Sequence, residues 1–306
     1  MKITVLYNIV HSSALPEQGA LEEAKLISAS LQKAEIFELR QETVKDLKKI
    51  KTDIFFNDCD GIGDDIVHEE AVPNLLDKLN FKYTGSSGKA LILTNNKIKT
   101  KKNFQENKIP TPGNLKFPLI VKPSAQHCSL GISLDSVVSN KIDLEKQTEK
   151  IEKEFNQKAL VEEYIAGREL NVLILGNEVL PISEIVFGDF FKNKPKIVDF
   201  KAKWVENSVN YQQTIGVCPA KLNKAIESKI KKKALKAFKI CGGRDYGRVD
   251  LRLANDDKFY ILEVNLNPDI SPGGGAFRSA KTAGYDYPGF LKKIVDLAME
   301  RYGNKN

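Results

Sequence analysis

Two neighbouring stretches decide the fold, Gly247-Arg248-Val249-Asp250-Leu251-Arg252-Leu253 and Phe259-Tyr260-Ile261-Leu262-Glu263-Val264-Asn265. Within each stretch the residues alternate between two faces, and a period of two predicts a β-strand. The intervening residues, Ala254–Lys258, have the composition of a turn. The sequence therefore predicts an antiparallel hairpin.

The register of this hairpin follows from its turn. A tight turn at Asp256-Asp257 sets Asp250 opposite Glu263 and Arg248 opposite Asn265, all on one face. Strict alternation also places Phe259 and Ile261 on the face of Glu263. A slip of one residue would turn these side chains to the other side of the sheet.

The polar face of the hairpin has the chemistry of a divalent-cation site. Two carboxylates and an amide oxygen beside an arginine are hard oxygen ligands of the kind that Mg²⁺ takes together with water and substrate phosphates. A surface hairpin with cross-strand charge pairs explains the same residues equally well. Both interpretations stay open on this stretch alone.

The composition describes a globular protein. The chain has 306 residues, 42% hydrophobic and 28% charged, enough for about two domains of ordinary size. No apolar run approaches the roughly 20 residues of a membrane span, and the N-terminus does not resemble a secretory signal. The four scattered cysteines (59, 128, 218 and 241) predict reduced thiols in the cytoplasm. The net charge of +7 favours anionic ligands, which include both nucleotides and nucleic acids.

Residues 1 to about 90 alternate strand and helix patterns, which predicts an α/β domain with a parallel sheet. Ligands tend to gather at the carboxyl ends of such strands, here at 8–13 and 57–65. No G-x-G-x-x-G motif follows the first strand, so a dinucleotide site is not expected there. We place a domain boundary near residue 90.

Two lysines stand where they could bind phosphate. Thr94 is a plausible N-cap of a basic helix that contains Lys97. Lys122 ends a buried strand and precedes a loop of small residues, which can surround phosphate with N–H groups. The alternatives are a solvated helix face, a nucleic-acid patch and a hairpin with a chance lysine. The loop at 189–204 is long and aromatic, which favours a lid.

In order and spacing, these pieces resemble the ATP-grasp ligases, most closely the D-alanine–D-alanine ligase-like branch. The resemblance runs from about Asp53 to Ala298, and several short motifs carry it: Tyr83–Ser86, Asn96-Lys97, Ile120–Pro123, Val161–Glu169, Gly247–Leu253 and Leu262–Asn265. The resemblance implies the fold classes α/β and α+β, with an ATP-grasp fold that follows an N-terminal Rossmann-like parallel-sheet domain. The expected domains are 1–90 (substrate side), 91–168 (central lid) and 169–306 (C-terminal, catalytic).

The resemblance also implies roles for individual residues. Arg248 and Lys203 would be catalytic, the arginine by stabilising a tetrahedral oxyanion and the lysine by reaching the phosphates on closure. The residues that would bind ATP are Lys97, Lys122, Ser129, Glu162, Glu163, Tyr164, Ile165, Glu169, Lys203 and Leu262. Asp250, Glu263 and Asn265 would hold two Mg²⁺ ions, with Mn²⁺ as an alternative. Glu70, Ser271 and Gly274 would contact the substrate.

The implied reaction joins an acid to an amine at the expense of ATP. A carboxylate attacks the γ-phosphate to give an acyl phosphate, and an amine then displaces phosphate. The expected partners are small amino-acid or peptide substrates, with no nucleic acid, no membrane and a possible homodimer.

The sequence departs from the branch at several substrate positions. Asp269 stands where the family has glycine, and Gly274 stands where a serine grips the second substrate's carboxylate. His127-Cys128 replace the usual glycine and serine of the phosphate loop. Another amino acid, peptide or thiol acceptor, a silent nucleotide-binding regulator and a nucleic-acid-binding protein therefore remain as alternatives.

Overall fold

The computed structural model describes residues 1–10, 17–65, 68–126 and 129–303. These residues form three sheets, one in each successive part of the chain. The strands are β1 Ile3–Tyr7, β2 Glu35–Glu38, β3 Ile54–Asn57, β4 Leu119–Pro123, β5 Val137–Val138, β6 Ala159–Glu163, β7 Gly167–Leu175, β8 Glu178–Val179, β9 Ser183–Phe187, β10 Thr214–Val217, β11 Tyr246–Ala254 and β12 Phe259–Asn265.

The helices cover the faces of these sheets. They are α1 Glu17–Ser30, α2 Ala71–Lys78, α3 Gly88–Thr94, α4 Lys97–Glu106, α5 Lys141–Phe155, α6 Phe200–Trp204, α7 Val209–Gln212, α8 Lys224–Ile240, α9 Gly275–Thr282 and α10 Tyr287–Gly303. Three short 3₁₀ segments lie at Val44–Lys49, Leu134–Ser136 and Asp189–Phe191. Among the helices of the described residues, none is both long and apolar enough to cross a membrane.

The first sheet is the expected parallel one, with strand order β2-β1-β3. Strands β1 and β3 are short, mostly apolar and almost entirely buried, because helices cover both faces of the sheet. The alternation of strand and helix patterns up to residue 90 predicted this arrangement correctly. The carboxyl ends of β1 and β3 lie side by side, so the polar residues that follow them meet.

The predicted start of the basic helix is wrong. Thr94 is the last residue of a separate helix, α3, which begins after Ser87, and the N-cap of α4 is Asn96, whose side chain accepts a hydrogen bond from the N–H of Lys99 at 2.9 Å. Both helices pack into the apolar core of the third sheet through Ala90, Leu91 and Phe104. The division of the chain at residues 90 and 168 stays a prediction.

The central sheet is small, antiparallel and separate. Its order is β5-β4-β6, and α5 covers one face. Leu119, Val121, Val138 and Ile151 are buried in a cluster of their own, apart from the larger cores. The buried apolar side chains of this unit therefore pack mainly with one another.

The third sheet contains the hairpin, in the order β10-β9-β7-β11-β12, with β8 paired to β7. The predicted register is confirmed at the functional end: Asp250 pairs with Glu263 and Arg248 with Asn265. Beyond Asp250 the register shifts, so that Leu251 pairs with Ile261 and Leu262 is the extra residue of a bulge.

The turn explains why the shift is needed. The N–H of Ala254 bonds to the carbonyl of Lys258 at 2.8 Å, which leaves three residues in the turn rather than two, with Asp257 in the left-handed region at φ 63°. The bulge therefore restores the register that the longer turn displaces. Because of it, Phe259 and Ile261 pack in the core with Val264, and their predicted position on the Glu263 face is wrong.

The first and third parts of the chain share one core. Side chains of β1, β3 and α1 pack with β7, α9 and α10 in a single apolar cluster. A buried ion pair strengthens this junction: the Arg301 guanidinium donates to Asp245 at 3.0 and 2.9 Å and to the carbonyl of Tyr83 at 2.8 Å. The N-terminal sheet therefore shares its core with the C-terminal part of the chain.

Candidate functional site

A cavity of about 340 Å³ lies where the first and third parts of the chain meet the α3–α4 junction and the long loop. Its described lining includes six of the predicted site residues: Lys97, Lys203, Arg248, Glu263, Asn265 and Ser271. They come from four separate regions of the sequence. The fold thus brings predicted phosphate, metal, catalytic and substrate residues to one place.

Asp250 is the centre of the polar network at the end of the hairpin. The Arg248 guanidinium donates to both of its carboxylate oxygens, at 2.8 and 2.9 Å. The side-chain amides of Asn171 and Asn265 each donate to it at 2.7 Å. Burial acts to lower the pKa of Arg248, but the neighbouring carboxylates, Asp250 first, outweigh burial and raise it, so the guanidinium stays charged.

Asn171 was not predicted from the sequence. It lies on β7 directly opposite Asp250 and is buried in an otherwise apolar run. A lone amide in such a strand is the one signal that could have identified it, because a buried amide needs a hydrogen-bond partner.

The hairpin has the donors that a magnesium-type ion requires. Asp250 and Glu263 are directly opposed, and the Asn265 amide lies against Asp250. Within the described chain no group of three or more His, Cys, Asp or Glu side chains could hold a metal ion, so this set depends on its amide oxygen. Both Asp250 oxygens now accept Arg248 N–H groups, and a bound ion would replace some of these contacts.

A buried triad lies on the central sheet. Glu162 forms ion pairs with Lys122, at 2.5 Å, and with Lys101. Burial acts to raise the pKa of Glu162, yet the two lysines outweigh burial and hold it below its ordinary value. Burial also acts to lower the pKa of Lys122, but Glu162 and more distant carboxylates keep it raised. Both groups are therefore ionised.

This triad adds a second possible role to the one expected for Glu162. Its carboxylate is ion-paired with two lysines and so balances their charge, while its contact with adenine stays a prediction. The signal was present in the sequence, since Glu162 alternates with Val161 on a strand facing Lys122, but the pairing of β4 with β6 was needed to read it.

One side of the cavity is bordered by the loop after β4, which contributes Gln126 and Leu130 to its lining. Lys97 donates to the carbonyl of Gln126, and the Ser129 hydroxyl donates to the carbonyl of Val198 at 2.9 Å. Lys203 stacks over the ring of Trp204 at 5.0 Å, and both side chains line the cavity. The covering loop and the long loop are thus in contact. His127 and Cys128, the predicted departures in this loop, lie outside the described residues.

The other predicted nucleotide residues do not line the cavity in the described chain. They lie on neighbouring strands and connections: Lys122 on β4, Glu163 at the end of β6, Tyr164 and Ile165 between β6 and β7, Glu169 on β7, and Leu262 at the bulge of β12. Arg252 connects this region: its guanidinium donates to the carbonyls of Ile165, Gly167 and Lys196 and to the Glu169 carboxylate, at 2.8–3.1 Å. The Tyr164 hydroxyl accepts a hydrogen bond from the N–H of Lys196 at 2.8 Å.

Two predicted substrate residues, Glu70 and Gly274, do not line the cavity in the described chain, whereas a nearby carboxylate does in each case. Glu70 precedes α2 and does not line the cavity in the described chain; Glu69 does, and the Asn95 amide donates to it at 3.1 Å. Gly274 is the N-cap of α9, and Asp269 lines the cavity in its vicinity. The start of α2 decides which of two adjacent glutamates turns inward, and no pattern in the sequence gives that start to within one residue.

Several carboxylates besides Glu263 line the cavity. They are Glu23, Asp58, Asp60, Glu69 and Asp269. Burial, reinforced by neighbouring carboxylates, raises the pKa of Glu23 to about 7 and that of Asp58 well above its ordinary value. Burial likewise raises the pKa of Asp60, although Lys203 opposes it. The sequence predicted that the ends of β1 and β3 contribute to a site. It did not predict Glu23, because the position of Glu23 in the cavity depends on how α1 packs on the sheet.

The raised pKa of Glu69 predicts how the stability of the protein depends on pH. Burial raises its pKa from 4.5 to about 8, so between these values the folded protein keeps a proton that the unfolded chain has lost. Stability should therefore fall as pH rises through this window, by up to about 1.4 kcal/mol per pH unit from this group. Glu69→Gln should flatten the curve when the free energy of unfolding is measured in urea from pH 5 to 8. Glu70→Gln is the matched control, and equal curves for both variants would contradict the assignment.

Comparisons with known proteins show the family of this chain. The family model described as "D-ala D-ala ligase C-terminus" matches residues 89–296. The uncharacterized protein y4sG of Sinorhizobium fredii is 33% identical over 246 residues, covering 76% of this chain and 70% of that protein. The D-alanine–D-alanine ligase of Alcanivorax borkumensis is 31% identical over 239 residues, covering 75% of this chain and 73% of that protein.

Solved structures show the same fold over the full length. The D-alanine–D-alanine ligase of Bacillus anthracis, crystallised with ATP, superposes with a TM-score of 0.78 at 22% identity and covers 100% of both chains. This likeness confirms the ATP-grasp architecture, and the sequence matches cover most of the chain. The protein belongs to the D-alanine–D-alanine ligase family of ATP-grasp proteins.

Proposed function

We propose that this protein is an ATP-dependent carboxylate–amine ligase that forms an amide bond through an acyl phosphate. One observation carries the proposal: a single cavity is lined by Lys97, Lys203, Arg248, Glu263 and Asn265. Cations for a polyphosphate, oxygen donors for a divalent ion and a charged guanidinium are what phosphoryl transfer to a carboxylate requires. The family membership and the ATP-bound ligase of the same fold support it.

The first step transfers the terminal phosphoryl group. A substrate carboxylate oxygen attacks the γ-phosphorus, the bond to the β,γ-bridging oxygen breaks, and ADP leaves. Lys97 and Lys203 line the cavity and would neutralise the phosphates, while Lys122 would act from the central sheet with Glu162 as its counter-ion. Positioning and charge neutralisation supply most of the rate in such a step.

Asp250, Glu263 and Asn265 would hold the divalent ion. When bound, such an ion neutralises charge on the phosphoryl group. We infer two Mg²⁺ ions, with Mn²⁺ as an alternative, from the donor set. Glu263 and Asn265 line the cavity, whereas Asp250 does not in the described chain; it is held next to them by the Arg248 guanidinium and the Asn265 amide.

The second step forms the amide. The amine nitrogen attacks the acyl carbon, the carbon–oxygen bond to phosphate breaks, and phosphate leaves with the electron pair. Arg248 lines the cavity beside Glu263 and would stabilise the oxyanion of the tetrahedral intermediate. The amine loses a proton, which a cavity carboxylate or solvent accepts.

The remaining assignments follow from this role. The substrates would be small amino acids or peptides, with no nucleic acid among the partners, and the reaction would take place in the cytoplasm. A homodimer and the three-domain division are proposed from the family resemblance alone.

Hydroxylamine provides the test, because it traps an acyl phosphate whatever the natural amine is. We expect ATP, Mg²⁺, hydroxylamine and a panel of D- and L-amino acids and dipeptides to give ADP together with the hydroxamate of at least one acid. Omission of the acid is the control. ADP release without hydroxamate, or no release with any acid, would contradict the ligase assignment.

A further inference from the structure

We propose that Arg278 is a specificity-determining residue that binds a carboxylate of the amine substrate, the acceptor of the second step. This inference rests on the proposed function and assigns a residue to the choice of the second substrate. Arg278 lies in the first turn of α9, which begins at Gly275. The family resemblance gave it no role.

The guanidinium of Arg278 has donors that the fold does not use. The side chain is half-buried, and its contacts are long: Nη1 donates to the Ser183 hydroxyl at 3.3 Å and Nη2 to the carbonyl of Gly273 at 3.5 Å. Among the described residues no carboxylate forms an ion pair with it. A guanidinium has five N–H donors in a planar fork, so this one can still take both oxygens of a carboxylate.

The other arginines of the third sheet show what Arg278 lacks. Arg168, Arg248 and Arg252 each form an ion pair with a carboxylate of the protein, at 2.5–2.9 Å. Charge-assisted pairs of this kind are the strong contacts of a guanidinium. A carboxylate from a substrate would give Arg278 the pair that the other three obtain within the chain.

Two glycines make room for the guanidinium. It occupies the space that a side chain would fill at Gly216, on β10, because a Cβ added there would overlap with its atoms. A Cβ added at Gly275 would lie 3.9 Å from Nη1, so the guanidinium also borders the loop that leads into α9. Its position therefore depends on two residues that have no side chain to cover it.

Ser183 places Arg278 at the end of the polar row that begins at the proposed metal site. Four polar residues are successively opposed across the third sheet: Glu263, Asp250, Asn171 and Ser183. Directly opposed residues of antiparallel strands share one face. Neighbouring strands lie about 4.8 Å apart, so the backbones of Asp250 and Ser183 are separated by about 10 Å. The Arg278 guanidinium thus lies on the face of the sheet that holds the reacting groups.

The position that the family uses for this carboxylate is filled in this chain. A Cβ added at Gly274 would lie 2.9 Å from both carboxylate oxygens of Asp269, so Asp269 takes the space of a side chain at position 274. The N–H of Ser271 donates to this carboxylate at 2.9 Å, and both residues line the cavity. Asp269 would repel an acceptor carboxylate, and Arg278 offers it a cation beside the next residue of the loop, Gly275.

This role selects among acceptors without changing the chemistry of the second step. The carboxylate of the acceptor pairs with Arg278, and its neutral amine nitrogen is thereby oriented toward the acyl carbon. The amide derivative of the same acceptor lacks the charge and loses the pair. The inferred acceptor is therefore an amino acid or peptide with a free carboxylate rather than a simple amine.

Competition with hydroxylamine tests the inference, because an acceptor that occupies the site slows hydroxamate formation whether or not it reacts itself. The probes are D-alanine, L-alanine and glycylglycine, each compared with its own amide while the first acid is saturating. We expect at least one free acid to inhibit about tenfold or more better than its amide. Arg278→Gln should abolish this preference, and Arg278→Lys, which keeps the charge but not the fork, should retain part of it.

Two further variants separate binding from folding. Gly216→Ala leaves Arg278 in the chain but displaces its guanidinium, and it should lower the same preference. Lys281→Gln removes an exposed cation from the same helix and is the matched control. A purely structural role of Arg278 would lower the melting temperature and leave the ratio between acid and amide unchanged.

The outcomes distinguish this inference from the proposed function. Equal inhibition by each acid and its amide, no inhibition by any free acid, or an unchanged preference in Arg278→Gln overturns the inference. Hydroxamate formation by the wild type in any of these cases leaves the proposed function standing. The absence of hydroxamate with every first acid removes the proposed function, together with the inference that rests on it.

Discussion

Glu263→Gln is expected to reduce acid-dependent ADP release by at least about 100-fold. Substitution of a residue that only supports a metal ligand can already reduce activity about 100-fold, so the loss of a ligand itself should cost at least as much. Glu263 lines the cavity opposite Asp250, and it is one of only two carboxylates in the proposed metal set. Glutamine keeps the shape and one oxygen donor but removes the charge. The loss should therefore fall on the reaction and on Mg²⁺-dependent nucleotide binding, with little change in the melting temperature.

Steady-state ADP release over a range of Mg²⁺ concentrations, paired with calorimetry of ATP binding, measures both effects. Asp256→Asn is the matched control, because Asp256 is an exposed carboxylate in the turn of the same hairpin. Near-normal turnover of Glu263→Gln at any Mg²⁺ concentration would remove the metal assignment for this residue.

Glu162→Gln is expected to destabilise the protein by about 3–5 kcal/mol, the usual cost of removing one partner of a buried ion pair. The substitution leaves Lys101 and Lys122 side by side in a buried site without their counter-ion. ATP should recover part of the loss, since its phosphates supply negative charge near Lys122. A residue that only contacted adenine would behave differently, by losing affinity without losing stability.

Urea denaturation with and without ATP and Mg²⁺ separates the two roles. The lysines hold the pKa of Glu162 below its ordinary value against the effect of burial, so its stabilising contribution is present above the ordinary carboxyl pKa and is lost as pH falls through the depressed one. The wild type should thus lose its advantage over the variant in acid. Glu163→Gln, on the next residue of the strand, is the control, and equal stability of the two variants would contradict the counter-ion role.

The hairpin shows how far the sequence could predict this site. Alternation predicted the two strands, and the assumed two-residue turn gave the observed pairing of Asp250 with Glu263. It did not reveal the three-residue turn or the bulge at Leu262, since these two irregularities cancel at the functional end and leave no trace in the pattern there. Only the outward half of β12, with Ile261, was assigned to the wrong face.

Residues that meet through tertiary packing were beyond sequence reasoning. Asn171 lies opposite Asp250 on the neighbouring strand, although the two residues are far apart in the sequence. Glu162, on β6, meets Lys101 of the distant helix α4. The choice of Glu69 over Glu70 depends on one residue at a helix start. The position of Glu23 in the cavity depends on the angle at which α1 lies on its sheet, and no local pattern specifies that angle.

The unequal sharing of apolar cores has a consequence for how this protein can be recombined with its relatives. Residues 1–87 contribute side chains to the same core as α9 and α10, so an N-terminal segment taken from a homologue would need a matching surface on the recipient. The buried apolar residues of the small central sheet form a separate cluster. Grafts bounded near residues 117 and 166 should therefore give folded hybrids when the graft keeps a carboxylate at Glu162 to pair with Lys101. Exchanges of the N-terminal segment should fail unless α10 is exchanged with it.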